Sequence, residues 1–503
     1  MEGGIDANTA TKNAVIGMTE RLKNTAGAIT LSKNGDVGCY FSSKRMAWAY
    51  VKDGNIFYGI DQDQVLQEAY PFLGGYPPHP SNTTVSAIDC LTSFYDTICE
   101  RFRNAKNRVS IASLYIGTGA LEKKLLAVTK NNMEERKDLQ FSVVLDYQRG
   151  TRGEVNSQTL LQEFVNDVPD QCNITLFQTP RLQKSWFKAL PARYNELVGL
   201  QHMKLYIADD TVLLSGANCS NDYFQQRQDR YIEIQDGDLA NFYNDIIDGL
   251  VFTKYNNKDL LVQEVNGRIT KHIERWKEIQ TRKMSALTAT NDDKIVDTWV
   301  FPLIQMGEFN ISQDEQATGG IFSSVPKGSY LRLATGYFNL TDKYANNLLK
   351  DCKANISLLM AHPNANGFLG APGPAGGIPH AYSLIARKFL ERVQLSNQAS
   401  RIQVLEYERP QWTFHAKGLW YYPPGSGVPW ATIIGSANLG ERSVRRDLEA
   451  QAAIFTESVD LQERLHDEYS KLHQYASECS SELQSRKTPL WVQATVGLFR
   501  TYF

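Results

Sequence analysis

The sequence predicts an α/β protein made of two similar domains, each a mixed β-sheet flanked by helices. Apolar strands alternate with amphipathic helices in the first half of the chain, and the same order returns in the second half. Two β-hairpins, in segments 201–231 and 414–451, carry the same polar residues in the same order. Strand–helix alternation requires crossovers that place strands parallel, and a repeat this long indicates a duplicated domain.

The first copy of the pattern starts with an amphipathic helix in 85–106 and a buried strand in 108–117. A helix, ALEKKLLAVTKNN, and a second strand in 139–150 follow. The second copy reads YLRLATGYFN (330–339), a helix and NISLLMAHPNANGF, and it places Tyr337 where the first copy has Tyr115. These matches predict parallel strand–helix–strand units in both halves.

The order of these patterns divides the chain into four segments. Residues 1–80, with aromatic strands such as MAWAYV, are expected to form an N-terminal extension packed on the first domain. The first domain covers 81–250, a helical linker 251–296, and the second domain 297–503 with its aromatic C-terminal segment. Within the linker, 265–283 has helical spacing and a basic bias, which fits a plain linker helix better than a helix on a membrane surface.

Composition limits the function classes. A net charge of −2 argues against bulk electrostatic capture of nucleic acid, so no nucleic-acid partner is expected. The seven cysteines form no CxxC pair, which predicts reduced thiols and no structural zinc. No apolar run reaches the roughly eighteen residues of a spanning helix, and the N-terminus does not resemble a signal peptide. We therefore expect a protein that is soluble or lies on a membrane surface.

The first hairpin, QHMKLYIADDTVLLSGANCSNDYF, suggests phosphate chemistry. His202 and Lys204 lie two residues apart, so on a strand their side chains leave the same face, and Asn218 returns at the hairpin's end. An imidazole can attack phosphorus or move a proton, while ammonium and amide groups hold the non-bridging oxygens. A single His-x-Lys occurs often on a surface strand, so the hairpin alone is weak evidence.

The second hairpin turns this weak indication into a strong one. It repeats the histidine and lysine as His415 and Lys417 and ends in Gly-Ser-Ala-Asn, with Ser436 and Asn438. In both copies a carboxylate follows the asparagine by eleven residues. A histidine acting as nucleophile or base needs an acceptor on its second nitrogen, and these carboxylates are the candidates, namely Asp229 and Glu449.

These residues resemble the HKD motif of the phospholipase D superfamily, which occurs twice per active site. Asp209 falls on the aspartate of the motif in the first copy, whereas Tyr422 replaces it in the second, where a PPGSGVP insert also lengthens the hairpin. The resemblance implies two phospholipase D-like domains related by a pseudo-twofold axis, with the active site at their interface. It also implies roles, which are catalytic for His202, Lys204, Asp209, His415 and Lys417, phosphate-holding for Asn218, Asn438 and Ser436, and histidine-orienting for Asp229 and Glu449.

The shortened Gly-Ala-Asn of the first copy is similar to the phosphatidyltransferase branch, the phosphatidylglycerophosphate and phosphatidylserine synthases. By this resemblance, the protein would move a phosphatidyl group from CDP-diacylglycerol to sn-glycerol 3-phosphate through a phosphatidyl-histidine and release CMP. It would need no cofactor and no metal, because the two ammonium groups supply the positive charge. The resemblance further implies a mitochondrial enzyme, peripheral on the inner membrane.

Several other residues are candidates for substrate binding. Arg149 and Arg152 follow a predicted strand in the turn DYQRGTRG, which is a plausible phosphate cradle. Tyr115 and Tyr337 occupy equivalent places in the two halves. The Gly/Pro-rich stretch that starts HPNANGFLG in the second half is expected to be a lid.

Two segments are candidates for contact with an anionic membrane surface. The stretch 180–196 mixes basic and aromatic residues, and the C-terminal PLWVQATVGLFRTYF is rich in aromatic and apolar residues. The same mixture would also fit single-stranded nucleic acid. The two segments together favour lipid.

Three alternatives stay open at this stage. The same chemistry could serve another acceptor, as in a phosphatidylserine synthase or cardiolipin synthase, or water. The motif also occurs in phosphodiesterases and nucleases, which the near-neutral charge disfavours. A non-catalytic lipid-binding scaffold is disfavoured because histidine, lysine and asparagine are intact in both copies.

Overall fold

The structure is a computed structural model. It describes residues 5–33, 35–46, 48–52, 55–59, 66–69, 79–80, 84–88, 90–183, 196, 198–250, 258–290 and 297–502. The chain divides into two compact units, Met1–Gly74 and Gly75–Phe503. Both hairpins belong to the second unit.

The N-terminal unit contains a helix that the sequence analysis did not anticipate, together with aromatic strands that it did. Asp6 caps this helix by accepting a hydrogen bond from the Thr9 backbone N–H at 3.0 Å. One antiparallel pair joins β1 to β2, and a separate meander has the order β3–β4–β5. The elements are α1 (Ala7–Leu22), β1 (Gly27–Leu31), β2 (Val37–Phe41), β3 (Trp48–Lys52), β4 (Asn55–Gly59) and β5 (Leu66–Ala69).

The first half of the larger unit forms a seven-stranded mixed sheet. Its strands are β7 (Thr84–Ala87), β8 (Arg108–Ser113), β9 (Gln140–Asp146), β10 (Cys172–Phe177), β11 (Leu205–Ala208), β12 (Thr211–Ser215) and β14 (Tyr231–Gln235). Two short strands lie outside it, β6 (His79–Pro80) and β13 (Arg227–Gln228). The order is β10–β9–β8–β11–β12–β14–β7, with β8, β9 and β10 parallel. The helices are α2 (Leu91–Asn104), α3 (Ala120–Glu135), α4 (Tyr147–Gly150), α5 (Ser157–Asp167), α6 (Asn221–Gln225) and α7 (Gly237–Asp248).

A long helix, α8 (Lys258–Thr290), connects the halves. Its apolar residues recur every three or four positions and are buried, namely Leu261, Val265, Ile269, Ile273 and Trp276. They belong to one core cluster that includes strand residues from both halves. Each such side chain contributes about 1.5–3 kcal/mol by burial. The apolar face of α8 is therefore covered by protein, as a linker helix requires.

The second half repeats the first sheet strand for strand. The strands are β15 (Thr298–Met306), β16 (Ile311–Ser312), β17 (Tyr330–Thr335), β18 (Asn355–Ala361), β19 (Ile402–Tyr407), β20 (Thr413–Phe414), β21 (Gly418–Tyr422), β22 (Ala431–Gly435), β23 (Leu448–Thr456) and β24 (Ala476–Glu478). The order β19–β18–β17–β21–β22–β23–β15 matches that of the first sheet, with β16 and β24 added at the ends and β6 paired to β15. The helices are α9 (Gln313–Ser324), α10 (Asp342–Asn346), α11 (Ile378–Leu395), α12 (Glu441–Arg445), α13 (Val459–His473), α14 (Ser480–Ser485) and α15 (Leu490–Phe499).

The predicted fold class is confirmed, while several element boundaries differ. The segment 85–106 contains a strand, β7, before its helix. The strand predicted over 139–150 ends at Asp146, whose carboxylate caps the helical turn α4 through the Arg149 N–H at 3.0 Å. The Gly/Pro-rich stretch ends earlier than predicted, because α11 starts at Ile378. Among the described residues, no helix is long and apolar enough to cross a bilayer.

Candidate active site

The first hairpin turns at Asp209, and this residue lies at the end of β11 away from His202. Asp209 has a φ of 48°, and its carboxylate accepts backbone hydrogen bonds from Lys106 and Asn107, both at 2.7 Å, and from Arg108 at 3.2 Å. These contacts join the turn to the start of β8. Asp209 thus supports the turn, and a catalytic role for it stays a prediction.

The second hairpin has Tyr422 in place of that aspartate and keeps its shape by packing. The buried Tyr422 ring stacks on Arg332, whose Cζ lies 4.3 Å from the ring centroid. The Tyr422 hydroxyl lies 3.3 Å from His466 Nδ1. The loop between β21 and β22 spans residues 423–430. Loss of the aspartate therefore alters the turn and leaves the strand that follows Lys417 in place.

Each motif histidine pairs with the carboxylate of the other half. His202 Nδ1 lies 2.9 Å from a Glu449 carboxylate oxygen, and His415 Nδ1 lies 2.7 Å from Asp229 Oδ2. All four residues are buried. The spacing from each asparagine identified both carboxylates, but it could not show that they are exchanged between the halves. Because of this exchange, the two motifs lie in one constellation.

The backbone around these pairs is equally reciprocal. The His202 N–H donates to the Leu448 carbonyl at 2.9 Å, and the His415 N–H donates to the Gln228 carbonyl at 2.8 Å. Each histidine thus bonds to the residue just before the carboxylate that it contacts. Matching bonds of this kind are expected of a pseudo-twofold axis passing between the hairpins.

The pairs occupy Nδ1 of each histidine and leave Nε2 for chemistry, although Nε2 of His415 also lies 3.1 Å from Lys417 Nζ. Burial lowers the pKa of His202, against the charge of Glu449, and burial together with Lys417 and Arg227 holds the pKa of His415 well below its usual value. With Nδ1–H directed at a carboxylate, each neutral ring presents the Nε2 lone pair. Burial raises the pKa of Asp229 to about 6.

Both lysines are fully buried beside their histidines. Lys204 Nζ donates to the His202 carbonyl, and Lys417 Nζ lies 2.8 Å from the His415 carbonyl and 2.8 Å from its Nδ1. Burial lowers the pKa of Lys204 well below its usual value and that of Lys417 to about 8. An anionic phosphate between the two ammonium groups would favour their charged forms.

The two motif asparagines are placed to bind a ligand. The Oδ1 atoms of Asn218 and Asn438 are buried and have no hydrogen-bond partner. An unsatisfied buried amide oxygen is costly, and a half-turn of the amide would present N–H groups instead. Both amides are thus suited to hold phosphoryl oxygens.

Ser436 has a different task from the predicted one. Its hydroxyl donates to the Ala450 carbonyl at 3.2 Å and accepts from the Ala450 N–H at 3.1 Å. These bonds fix the end of β22 against the strand that carries Glu449. Ser436 therefore supports that strand, and its role as a phosphate-holding residue stays a prediction.

Two hydroxyl groups that the sequence analysis missed break the symmetry of the site. Ser443 Oγ donates to Glu449 at 2.7 Å. At the equivalent position of the first half, the Tyr223 hydroxyl lies 3.1 Å from Asn218 Nδ2 and 3.4 Å from His415 Nε2. Both residues lie five positions after their asparagine. Hydroxyl residues are common in helical turns, so this spacing carried no signal by itself.

Comparison with known proteins agrees with this geometry. The chain is 38% identical over 469 residues to the Gallus gallus protein named "CDP-diacylglycerol--glycerol-3-phosphate 3-phosphatidyltransferase, mitochondrial", covering 84% of each chain. It is also 38% identical over 488 residues to the Homo sapiens protein of the same name, covering 88% of this chain and 86% of the human one. No protein-family model matches the chain.

The chain belongs to the CDP-diacylglycerol–glycerol-3-phosphate 3-phosphatidyltransferase family. Among solved structures, it resembles a phosphatidylserine synthase from Haemophilus influenzae, with a TM-score of 0.64 and 22% identity. The match covers 85% of this chain and 95% of the other. This likeness supports the phospholipase D-like fold.

In this phosphatidyltransferase, the arginines of the DYQRGTRG turn are already paired. Arg149 lies 3.6 Å from Glu196, and Arg152 contacts the same carboxylate. The Arg149 guanidinium also lies 4.8 Å from the ring centroid of Tyr115. The turn contains a short helix near the active site, and Glu196 partly neutralises the positive charge of its two arginines.

Tyr337 lies directly against the second histidine. Its ring centroid is 5.5 Å from that of His415, nearly perpendicular to it, and 5.9 Å from Lys417 Nζ. On its other face it stacks on Tyr382 at 5.5 Å. Tyr115 is more remote, since its hydroxyl lies 3.5 Å from Ser220 Oγ. The structure thus brings Tyr337 to the histidine and keeps Tyr115 near Arg149.

Two further arginines lie close to the site. Arg227 lies over the ring of Tyr223, with its Cζ 4.6 Å from the centroid. Arg442 lies 3.3 Å from Asp447, and its Nε is buried without a partner. Arg227 lies two residues before Asp229 in the sequence, which was a signal for finding it, whereas Arg442 lies seven residues before Glu449 and had none.

One group of side chains also has the spacing of metal ligands. Ligand atoms of His202, Asp447 and Glu449 lie within 4.8 Å of one another. The two carboxylates are already occupied by hydrogen-bond donors. Asp447 accepts from Arg442 and the Leu200 N–H, and Glu449 accepts from Ser443. The donors and nearby ammonium groups suit a phosphate better than a cation. The metal-free mechanism stays a prediction.

Proposed function

We propose that the protein transfers the phosphatidyl group of CDP-diacylglycerol to sn-glycerol 3-phosphate, giving phosphatidylglycerophosphate and CMP. The observation that carries the proposal is the reciprocal pairing of His202 with Glu449 and His415 with Asp229. The names of the relatives supply the two substrates. Paired histidines at one centre suit a double displacement in which one forms a covalent bond and the other moves protons.

In the first step, Nε2 of His202 attacks the phosphorus bearing the diacylglycerol. A nitrogen–phosphorus bond forms, the bond from phosphorus to the CMP oxygen breaks, and CMP departs with the electron pair. Its proton comes from Nε2 of His415, a ring that becomes the imidazolium when the anionic diphosphate of the donor binds beside it. In the second step, the acceptor hydroxyl attacks the phosphorus, His415 takes its proton, and the bond to His202 breaks. Lys204, Lys417 and the two asparagines stabilise the charge on the phosphoryl oxygens in both steps.

The assignment of the two histidines rests on the asymmetry between Tyr223 and Ser443. The Tyr223 hydroxyl lies beside Nε2 of His415, where it can exchange a proton or hydrogen bond with that ring. Ser443 bonds Glu449 instead, which leaves Nε2 of His202 without a neighbouring hydroxyl from this position. A nucleophile needs an open lone pair, whereas a proton shuttle tolerates a hydrogen-bonding neighbour. We therefore assign His202 as nucleophile and His415 as acid and base.

We infer that the site opens toward an anionic membrane surface. The acyl chains of the donor favour the bilayer by about 0.8 kcal/mol per CH₂. Helix α15 exposes large apolar side chains at both ends, with Leu490 at 82% and Leu498 at 77% exposure. Just beyond it, the Arg446 guanidinium packs on Tyr502 at 3.8 Å, next to the helix that carries Arg442. The other candidate, 180–196, lies mostly outside the described residues.

The proposal extends to location. Relatives from chicken and human carry the word mitochondrial in their names. We propose the inner mitochondrial membrane as the surface on which this enzyme works.

An acceptor panel tests the function. Purified protein on vesicles containing CDP-diacylglycerol is given sn-glycerol 3-phosphate, serine, phosphatidylglycerol or buffer alone, with and without EDTA. We expect phosphatidylglycerophosphate and stoichiometric CMP with glycerol 3-phosphate, unaffected by the chelator. Faster product formation with serine or phosphatidylglycerol would replace the proposed acceptor, and loss of activity in EDTA restored by Mg²⁺ would contradict the metal-free mechanism.

A further inference from the structure

Arg227 occupies a distinctive place at the edge of the site. Its side chain is 16% exposed and lies over the Tyr223 ring, with its Nε donating to Thr413 Oγ1 at 3.0 Å. The bond to Thr413 crosses between the two halves through the paired strands β13 and β20. Arg227 is thus held in one orientation by a ring beneath it and by a hydrogen bond from the other half.

The charge of Arg227 is less neutralised than that of the other arginines near the site. Arg149 and Arg152 share Glu196, and Arg442 contacts Asp447. Among the described residues, the carboxylate within 4 Å of Arg227 is that of Asp222, at 3.9 Å, and its side chain is 56% exposed. A pair this long and this exposed to water provides little compensation.

The distance from His415 to Arg227 is spanned by two tyrosine rings. The Tyr223 centroid lies 5.1 Å from the His415 centroid and 4.6 Å from Arg227 Cζ. The Tyr337 ring lies 5.5 Å from His415 on its own side. A three-carbon chain whose hydroxyl lies at His415 would place its phosphate near Arg227, alongside the Tyr223 ring.

Gly367 lies close against Arg227. A Cβ at position 367 would lie 3.1 Å from a terminal nitrogen of Arg227 and 3.7 Å from the Tyr337 hydroxyl. A larger side chain would therefore press on the guanidinium. The glycine lets the loop that follows β18 approach Arg227 with no side chain between them.

We propose that Arg227 binds the phosphate monoester of the acceptor, and that this contact selects a phosphorylated polyol over an unphosphorylated one. The inference rests on the proposed function, because the acceptor hydroxyl must lie at Nε2 of His415. A three-carbon chain then carries its phosphate past the tyrosines to the guanidinium, whose planar donors match phosphate oxygens. Arg227 is a specificity-determining residue for the second step, after CMP has left.

Steady-state and burst kinetics of Arg227→Gln test the proposal. We expect KM for sn-glycerol 3-phosphate to rise about ten- to hundredfold, the effect of losing a charged hydrogen bond. The CMP burst measured without acceptor should fall by far less, because the donor phosphate is held by the motif lysines and asparagines. Arg227→Lys should give an intermediate KM, since lysine keeps the charge but not the planar pair of donors.

Asp222→Asn is the matched control. If Arg227 acted only by holding Asp222 and α6 in place, both variants would raise KM alike; we expect Asp222→Asn to leave KM unchanged or lower it. An unchanged KM in Arg227→Gln, or a CMP burst reduced as strongly as acceptor use, would overturn the proposal. Wild-type turnover with sn-glycerol 3-phosphate in the same assay separates this failure from a failure of the proposed function, which would leave the wild type without phosphatidylglycerophosphate as product.

Discussion

At the scale of single residues, the site depends on which nitrogen of each histidine is already occupied. Nδ1 of His202 and Nδ1 of His415 both face carboxylates, so chemistry is left to Nε2. The histidines, lysines, asparagines and carboxylates could be predicted from the sequence, because their order is the same in both copies of the motif. The exchange of carboxylates between the halves could not be predicted, since the spacing within one copy carries no information about contacts with the other copy.

The same residues predict a bell-shaped dependence of kcat/KM on pH. Burial raises the pKa of Asp229 to about 6, so below this pH its carboxyl is protonated and no longer accepts from His415. Burial lowers the pKa of Lys417 to about 8, so above this pH the ammonium is lost and phosphoryl charge is less stabilised. We expect activity to fall on both sides of this window, as measured at constant ionic strength.

Asp229→Asn provides the control for the acidic limb. This variant lacks the titrating carboxyl, so its residual activity should lose the decline near pH 6 and keep the decline near pH 8. Unchanged wild-type activity a full pH unit beyond either limb would contradict these assignments.

At the scale of elements, the hairpins were predictable and their turns were not. Short apolar runs rich in β-forming residues mark β11, β12, β21 and β22, and their pairing follows from proximity along the chain. The left-handed Asp209 and the packing of Tyr422 on Arg332 both depend on contacts with distant segments. Motif membership alone accordingly did not predict the structural contacts of Asp209 and Ser436.

Helix α15 makes a testable contribution to membrane binding. Its buried residues, Val492 and Val496, face the protein, while Trp491 and Phe499 are about half exposed. The double variant Trp491→Ser/Phe499→Ser should weaken binding to anionic vesicles in a flotation assay, because apolar area would be lost from the interface. Folding should be retained, since the two valines are untouched.

A matched variant on another surface separates this effect from general loss of hydrophobicity. Val459 at the start of α13 is 66% exposed, and Val459→Ser should leave flotation unchanged. Equal flotation of the α15 variant and the wild type would direct attention to the 180–196 segment instead.

At the scale of the whole molecule, the duplication is visible in the equal strand order of the two sheets. The sequence predicted it because apolar strands and hairpin motifs recur in register. Individual side-chain contacts between the halves could not be predicted from the sequence, and those of the buried Arg230 are an example. Its guanidinium pairs with Glu468 of α13 at 2.8 Å and donates to the Ile433 carbonyl at 2.8 Å.

Removing the ion pair between Arg230 and Glu468 should destabilise the protein strongly. Arg230→Ala leaves Glu468, 15% exposed, without its partner, and the loss of one member of a buried pair typically costs about 3–5 kcal/mol. Arg464→Ala on the same helix removes a pair with Asp460 whose members are 49% and 74% exposed, and should cost below about 1 kcal/mol. Denaturant unfolding of both variants checks the difference; similar midpoints would contradict the role of Arg230.

The central claim is that both motifs serve one phosphorus centre, with His202 as the residue that carries the phosphatidyl group. The measurement that tests it most directly is acid-quenched trapping with CDP-diacylglycerol labelled in its lipid, followed by peptide mapping of the wild type and of His202→Ala and His415→Ala. We predict label on the peptide containing His202 in the wild type, reduced label there in His415→Ala without turnover, and no label in His202→Ala. Label on the peptide containing His415 that persists in His202→Ala would contradict the account.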